Sequence, residues 1–267
     1  MSIISPAGWG NNMNQGKQTI SAVILAKNED KRIADCLASL TWTDERIVVD
    51  NASTDKTATI AQQSGGRVVY AKEKDFSKLR TLGKEEVKGE WILYVDADEI
   101  VSPGLITEIR DTIKTWNEDS PVAYTVKRSN IYLGSPWPYS ERMLRLFRKS
   151  ALIGWYGELH ESPRVKGPTG QLYGALVHHT HRSLEEMVVK TNQWSAVEAK
   201  LRRDANHPPV VWWRLWRVMV TGFWQSYVSQ GGWKAGTVGL IESLYQGFSL
   251  FITYAKLWEL QQNEKKL

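Results

Sequence analysis

Between Thr19 and Val95 the chain repeats one unit: a short β-branched run, a polar turn, then apolar residues at helical spacing. The first run, Thr19–Ala26, is followed by Ile33, Leu37 and Leu40 on one helical face. The second, Arg46–Val49, ends at Asp50-Asn51, and Ser53-Thr54-Asp55 offers caps for a helix reaching about Gln63, where Gly65-Gly66 stops it. Arg67–Tyr70 is a third run, and Ser77 is the expected cap of a helix over residues 78–88, closed by Gly89. The fourth, Trp91–Val95, is apolar throughout and predicts a strand covered on both faces. Ser102-Pro103 then supplies an N-cap and first-turn proline for a helix to about Trp116. Such alternation predicts an α/β fold, a mostly parallel, Rossmann-like sheet flanked by helices, with ligands beyond the carboxyl ends of its strands. Three polar turns fall at those ends: Ala26-Lys27-Asn28-Glu29, Asp50-Asn51 and Asp96-Ala97-Asp98.

After Asp119 the pattern changes. Residues 122–126 and 143–147 read as strands separated by a loop, Gly134-Ser-Pro-Trp-Pro-Tyr139. Gly154-Trp-Tyr-Gly-Glu158-Leu-His160-Glu161 follows, then a run ending in His178-His179-Thr180-His181. From Leu184 the chain is predicted to be helical. There Ile241, Leu244, Tyr245, Phe248, Ile252 and Ala255 form one apolar face, with Glu242, Gln246, Ser249, Thr253 and Lys256 opposite.

A single cysteine, Cys36, excludes an internal disulfide and a thiolate metal cluster, so any metal is expected on oxygen or imidazole ligands. The N-terminal residues lack the apolar core of a signal peptide, which makes a cytoplasmic location the expectation. The net charge of +5 is concentrated: from Lys190 onward ten Lys and Arg face five acids, and seven of the 13 tryptophans lie there too. A basic, Trp-rich tail suits an anionic membrane surface or an acidic partner. Charged and polar residues interrupt its apolar runs well short of the ~20 residues of a membrane span. Residues 209–224 suit peripheral membrane contact, and residues 237–260 suit packing or a homo-oligomer. The basic residues are interleaved with large apolar ones and no aromatic RNA-binding motif is present, so no nucleic-acid partner is expected.

Several residues carry candidate chemistry. A nucleotide diphosphate leaves readily only when its charge is neutralised, and a hard divalent cation held by carboxylates does this. Asp96 and Asp98, directly after a buried strand, fit that task, one on the metal and one on the ribose or a metal-bound water. A lone Asp-x-Asp is more often a solvated turn; the two companion turns favour a site. Asp50-Asn51 reads equally as a helix cap or as an acceptor for the imide hydrogen of a uracil-like base. Asn28-Glu29 reads as a helix start or as a contact to base and ribose. Arg80 reads as a solvated charge or as a diphosphate contact.

Taken in succession, Val23-Ile-Leu-Ala-Lys-Asn28-Glu29, Ile47-Val-Val-Asp50-Asn-x-Ser53-x-Asp55-x-Thr57, Phe76-x-x-x-Arg80 and Gly89-x-Trp-Ile-Leu-x-x-Asp96-Ala-Asp98-Glu99 resemble glycosyltransferase family 2. Within it the chain is most similar to the bacterial branch acting on lipopolysaccharide core and related envelope glycans. The resemblance covers roughly residues 19–195. It implies a GT-A fold, a nucleotide-sugar donor (a UDP-sugar favoured), a divalent cation (Mn2+ or Mg2+), inversion at the anomeric carbon, and a glycan or glycolipid acceptor. Position by position it implies Asp50 on the base, Asp96 on the ribose or metal-bound water, and Asp98 on the metal. The branch usually carries Arg-Asn where this chain has Arg80-Thr81. Its His-Glu motif matches His160-Glu161 and makes Glu161 the expected catalytic base, with Glu158 the other candidate; the alternative for Glu161 is an ion pair with Arg164. A late histidine of the family aligns with His178 as a metal or diphosphate ligand, with His181 next in line; Arg182 reads as a structural cation or a second diphosphate clamp.

The implied organisation is a flexible segment 1–18, a GT-A catalytic domain 19–183 (nucleotide-sugar half 19–118, acceptor half 119–183) and a helical, basic extension 184–267. Two rivals remain. An inactive, membrane-associated sugar-nucleotide scaffold would need no Asp96/Asp98 pair and no Glu161. A sugar-phosphate nucleotidyltransferase would carry a Gly-rich basic loop after the first strand, where this chain has the glycine-free Lys27-Asn-Glu-Asp-Lys-Arg32.

Overall fold

The computed structural model describes residues 18–157, 161–180 and 183–264. They form two compact units: one comprises the chain up to Ala97 with Ile106–Thr125 and Leu144–Leu172, the other Asp98–Leu105, Val126–Met143 and the chain from Tyr173. In the first unit β1 (Ile20–Ala26), β2 (Glu45–Asn51), β3 (Arg67–Ala71) and β4 (Trp91–Asp96) alternate with α1 (Ile33–Ala38), α2 (Thr57–Gln63) and α3 (Phe76–Glu86). All four strands are parallel, β1 lying between β2 and β4. The remaining strands are β5 (Glu99–Val101), β6 (Ala123–Tyr132), β7 (Ser135–Arg148), β8 (Leu152–Tyr156), β9 (Ser162–Val165) and β10 (Thr169–Thr180). In hydrogen-bonding order the main sheet is β3-β2-β1-β4-β7-β6-β10-β5, with β8-β9 a separate pair. A mostly parallel sheet with flanking helices and a helical C-terminal region is the GT-A arrangement expected from the sequence.

Burial follows the repeat. Every residue of β1 is buried, and Trp91 to Val95 are fully enclosed. Tyr94, Phe147 and Trp155 meet edge to face with centroids 4.9–5.8 Å apart, each pair adding about 0.5–1.5 kcal/mol beyond its buried area. Gly83 lets α3 lie directly on β1: a Cβ there would overlap Val23 Cγ1.

Local chemistry moves some boundaries. Asp75, not Ser77, caps α3: its Oδ1 accepts from the Ser77 amide at 2.8 Å and the Ser77 hydroxyl at 2.6 Å, a stronger acceptor than the hydroxyl alone. Of the expected loop Gly134–Tyr139 only Gly134 is turn, and Ser135 to Tyr139 lie in β7. Leu133 and Gly134 have φ of 46° and 79°, the left-handed pair of a two-residue hairpin turn, so β6 and β7 run long on either side.

In the second unit α5 (Leu184–Asp204) and α6 (Trp212–Trp224) precede a π-helical turn, Gln225–Ser229, a 3-10 turn, Gly232–Ala235, and α7 (Gly236–Glu264). The apolar face of α7, expected to pack or to form a homo-oligomer, is partly left outward. Leu244 and Phe248 are exposed, whereas Glu242, Ser243 and Thr253 are buried. Gly239, Ser243 and Gly247 recur every fourth residue and permit close backbone approach; a Cβ on Gly247 would lie 2.7 Å from the Met219 carbonyl of α6. In the first half of α7 the small face goes inward and Leu244 and Phe248 are left outside, whereas Leu257 further along is fully buried.

Gly83→Ala is expected to destabilise the protein by about 1–3 kcal/mol in urea unfolding, against the gain of about 1 kcal/mol that the same change gives in an unencumbered helix. A stabilised variant would contradict the contact of α3 with Val23.

Candidate active site

In the first unit the carboxyl ends of β2, β1 and β4 align in register, Asp50 beside Ala26 and Leu25 beside Asp96. Asp50 and Asp96 therefore flank the end of β1, about 10 Å apart across two strand spacings. Asp50 is 2% exposed; its Oδ2 accepts from the Ser53 amide at 3.2 Å, while Oδ1 is buried without a hydrogen-bond partner. A buried carboxylate oxygen without a partner is rare enough to mark a candidate binding position. The neighbouring side chains are already used. Asn51 bridges Glu73 with both ends of its amide, at 2.8 and 2.9 Å, and Asn28 Oδ1 accepts from the Thr54 amide at 2.8 Å. Glu29 pairs with Arg32 at 2.7 Å, and its amide donates to Thr57. None of these four caps a helix: α1 begins at Ile33 and α2 at Thr57.

Arg80 is not the solvated charge its helix suggested; it is 5% exposed. Its Nε donates to Glu161 Oε1 at 2.7 Å and its Nη2 reaches Asp96 Oδ1 at 3.2 Å. The guanidinium carbon lies 5.0 Å from the centre of the Trp155 ring and 5.6 Å from that of Tyr94. Tyr94 closes the arrangement by donating its hydroxyl to the Arg80 carbonyl at 2.9 Å; burial pushes its pKa far up, so that proton stays. Arg145 of β7 grips Asp96 from the other side, Nη2 to Oδ2 at 2.6 Å and Nη1 to Oδ1 at 3.3 Å. Two carboxylates and two guanidiniums thus alternate as Glu161–Arg80–Asp96–Arg145. The ion-pair partner of Glu161 is Arg80 rather than Arg164. Thr81, where the branch usually has Asn, turns its hydroxyl back onto the Ser77 carbonyl at 2.8 Å.

Asp98 belongs to the second unit. The antiparallel pairing of β5 with β10 sets His178 opposite Glu99. His178 Nε2 consequently lies 3.1 Å from Asp98 Oδ2, and its Nδ1 lies 2.8 Å from Asn130 Oδ1 of β6. Asn130 and Asp98 thus hold the two ring nitrogens of His178 from opposite sides and fix the orientation of the imidazole. That donor set fits a divalent cation. Two ligands bound at right angles, each about 2.0–2.2 Å from one ion, are separated by about 3 Å. Among the described residues no group of three or more His, Cys, Asp or Glu converges. The chain would therefore supply two ligands and leave the other positions to phosphate oxygens and water, as Mg2+ and Mn2+ sites do. His179 meets Asp98 through its backbone amide, at 3.3 Å. Glu158, His160, His181 and Arg182 lie outside the described residues.

The family model described as glycosyl transferase family 2 matches residues 21–163, more than half of the chain. The chain belongs to this family. The transferase is 30% identical over 256 residues to the uncharacterized glycosyltransferase RP128 of Rickettsia prowazekii, covering 90% of this chain and 87% of that one. It is 27% identical over 259 residues to the lipopolysaccharide core biosynthesis glycosyltransferase LpsC of Rhizobium meliloti, covering 91% and 93%. The solved structure of S. aureus TarS 1-349 in complex with UDP-GlcNAc aligns at a TM-score of 0.46 and 13% identity over 92% of both chains, a distant likeness on which nothing in the site rests.

Sequence reading missed two residues of the transferase. Arg145 was visible only as a charge inside the apolar run Leu144-Arg-Leu-Phe147; Asn130 had no distinguishing pattern. Arg145→Met is expected to lower stability by about 2 kcal/mol or more, less than the roughly 3–5 of a fully buried pair because the Asp96 side chain keeps 29% exposure. The double variant with Asp96→Asn should recover part of that loss; urea unfolding of the two variants checks it.

Proposed function

We propose that this transferase is an inverting, metal-dependent enzyme that moves a sugar from a nucleotide-sugar donor, a UDP-sugar first, to a cell-envelope glycan or glycolipid such as lipopolysaccharide core. The observation that carries metal dependence is the approach of His178 Nε2 to Asp98 Oδ2 at 3.1 Å. Asp98 and His178 would hold a divalent cation there, which would supply the positive charge that a departing diphosphate needs. The buried, unpartnered Oδ1 of Asp50 accepts the imide hydrogen of the base. Asp96, held by Arg80 and Arg145, offers the ribose hydroxyls an acceptor in a fixed position. Asn28, Glu29 and Asn51 shape the donor side by cross-linking the turns around it. Arg80 contributes positive charge to the diphosphate side.

Inversion is a single in-line displacement, so it needs one base at the acceptor hydroxyl. Glu161 fills that role: Arg80 fixes one carboxylate oxygen, and the other takes the proton as the acceptor oxygen bonds to the anomeric carbon and the bond from that carbon to the diphosphate oxygen breaks, its electron pair leaving with the nucleotide. The lipopolysaccharide acceptor rests on the likeness to LpsC across nearly the whole of both chains.

Two variants separate these roles. Asp98→Ala should abolish Mn2+-dependent binding of the donor. Glu161→Gln should leave donor binding intact while cutting transfer by about 10²–10⁴-fold. Unchanged donor affinity in the first, or wild-type turnover in the second, removes that residue from its role.

We assign the C-terminal helices to the inner face of the plasma membrane as a peripheral contact. Among the described residues no helix is long and apolar enough to cross a membrane. Instead Trp212, Trp216, Val220 and Trp224, four residues apart on α6, form an exposed stripe in which Trp212 keeps 75% of its surface. Arg214 and Arg217 lie over the Trp213 ring. Exposed indoles beside arginines match the headgroup depth of an anionic bilayer. Replacing Trp212, Trp216 and Trp224 together by Ala should reduce sedimentation with phosphatidylglycerol-containing vesicles by roughly tenfold or more. Unchanged sedimentation would overturn the assignment, and a loss of self-association instead would make the stripe an oligomer interface.

A further inference from the structure

The second unit holds a cavity of about 310 Å³ that the roles above do not use. It lies within that unit, lined by the β6–β7 hairpin on one side and by α6, the π-helical turn and α7 on the other. We infer that it is a subsite for one sugar ring of the acceptor, and that it selects an uncharged or amino-bearing ring over a phosphorylated or carboxylated one. This rests on the glycosyltransferase reading of the same unit's Asp98 and His178.

The lining has the chemistry of carbohydrate recognition. Tyr132, Trp137 and Tyr139 provide aromatic faces, Tyr132 and Trp137 being set edge to face with centroids 4.9 Å apart. Apolar C–H faces of a pyranose pack on such rings. Three amides, Gln225, Gln230 and Gln246, supply paired donors and acceptors of the kind that hydroxyls require. Trp137 is locked in place, since its ring lies 2.8 Å from where a Cβ on Gly232 would sit. The π-helical turn brings Gln225 to the cavity, and such turns are frequent where a helix has been adapted to a ligand. At the low end of the roughly 300–1,000 Å³ of ligand pockets, the volume suits a single ring better than a chain.

Charge decides which ring. Among the described residues no lysine, arginine or histidine lines the cavity, and Glu141 is the one lining carboxylate. Arg128 pairs with Glu141 at 2.8 Å but does not line the cavity. A second carboxylate, Glu242, is 1% exposed and accepts from the lining amide of Gln246 at 2.6 Å. Burial, then Glu242 and Glu141, push the Tyr132 pKa far up, so its hydroxyl remains a neutral donor. Arg128 is engaged with Glu141 from outside the lining, so a phosphate or carboxylate entering here meets a carboxylate and no cation among the described lining residues to bind it; an ammonium or a hydroxyl needs none.

The cavity also has a connection to the reaction. Asn130 lines it, is 4% exposed, and its Oδ1 lies 2.8 Å from His178 Nδ1. A ring bound here therefore lies one side chain away from the proposed metal ligand. The helical extension contributes half of the walls, which gives it a role in acceptor recognition distinct from its exposed tryptophans.

Saturation-transfer NMR on the full chain tests this, with methyl α-mannopyranoside, glucosamine and glucose 6-phosphate as probes, in the presence and absence of UDP and Mn2+. The first two sugars should receive saturation and glucose 6-phosphate should not. Tyr139→Ala and Gln230→Ala, both at partly exposed positions, should weaken binding by about tenfold or more, as expected for losing one packing or hydrogen-bonding partner. Thermal melts matching wild type confirm that the variants are folded. Equal binding of glucose 6-phosphate, wild-type affinity in both variants, or no sugar binding in either condition overturns the proposal. Binding of UDP with Mn2+ by the wild-type chain is measured alongside; its failure strikes the donor reading and leaves the sugar result to stand or fall by itself.

Discussion

The alternation Glu161–Arg80–Asp96–Arg145 is the constraint around which the first unit is arranged. Arg80 and Arg145 are both almost completely enclosed, and an enclosed guanidinium is tolerable only when carboxylates and rings replace its water. The four residues come from α3, the end of β4, β7 and the segment before β9, so each element is held to the others by charge as well as by packing. Removing any one of them leaves a partner uncompensated. That interdependence explains how Glu161, on a stretch between two short strands, is given a definite position.

Asp96 and Asp98 are two residues apart yet have unlike surroundings. Asp96 is met by two cations and is electrostatically satisfied. Asp98 is met by His178, whose other ring nitrogen is held by Asn130. The motif thus divides into an acid held between two arginines and an acid held against an imidazole, with Ala97, its amide on Leu25, between them.

Much of this was legible in the sequence, for reasons that also explain what was not. The strand ends at Ala26, Asp50 and Asp96 could be read because four β-branched or apolar runs alternate with helices, and only a parallel sheet satisfies that pattern. Burial of Arg80 could not be read from its helix, since its enclosure depends on Trp155 and Glu161, about eighty residues away. The hairpin at Leu133-Gly134 was obscured by Pro136 and Pro138, which suggest a loop but here stand within β7. The inward face of α7 was misjudged because periodicity reports where the large apolar residues are, not which face another helix can approach. Gly239, Ser243 and Gly247 admit a closer neighbour than Leu244 or Phe248 could.

The reversed polarity of the first half of α7 has a consequence for how the sequence can drift. In an ordinary amphipathic helix the large apolar positions are the conserved-by-necessity ones and the polar positions vary. Here Leu244 and Phe248, facing outward, can exchange among bulky apolar residues with little effect on packing. Gly239 and Gly247 admit nothing larger, because the space a side chain would need is filled by the backbone of Gly232 and Met219. Related chains should therefore diverge most, within this helix, at the residues that look most like core.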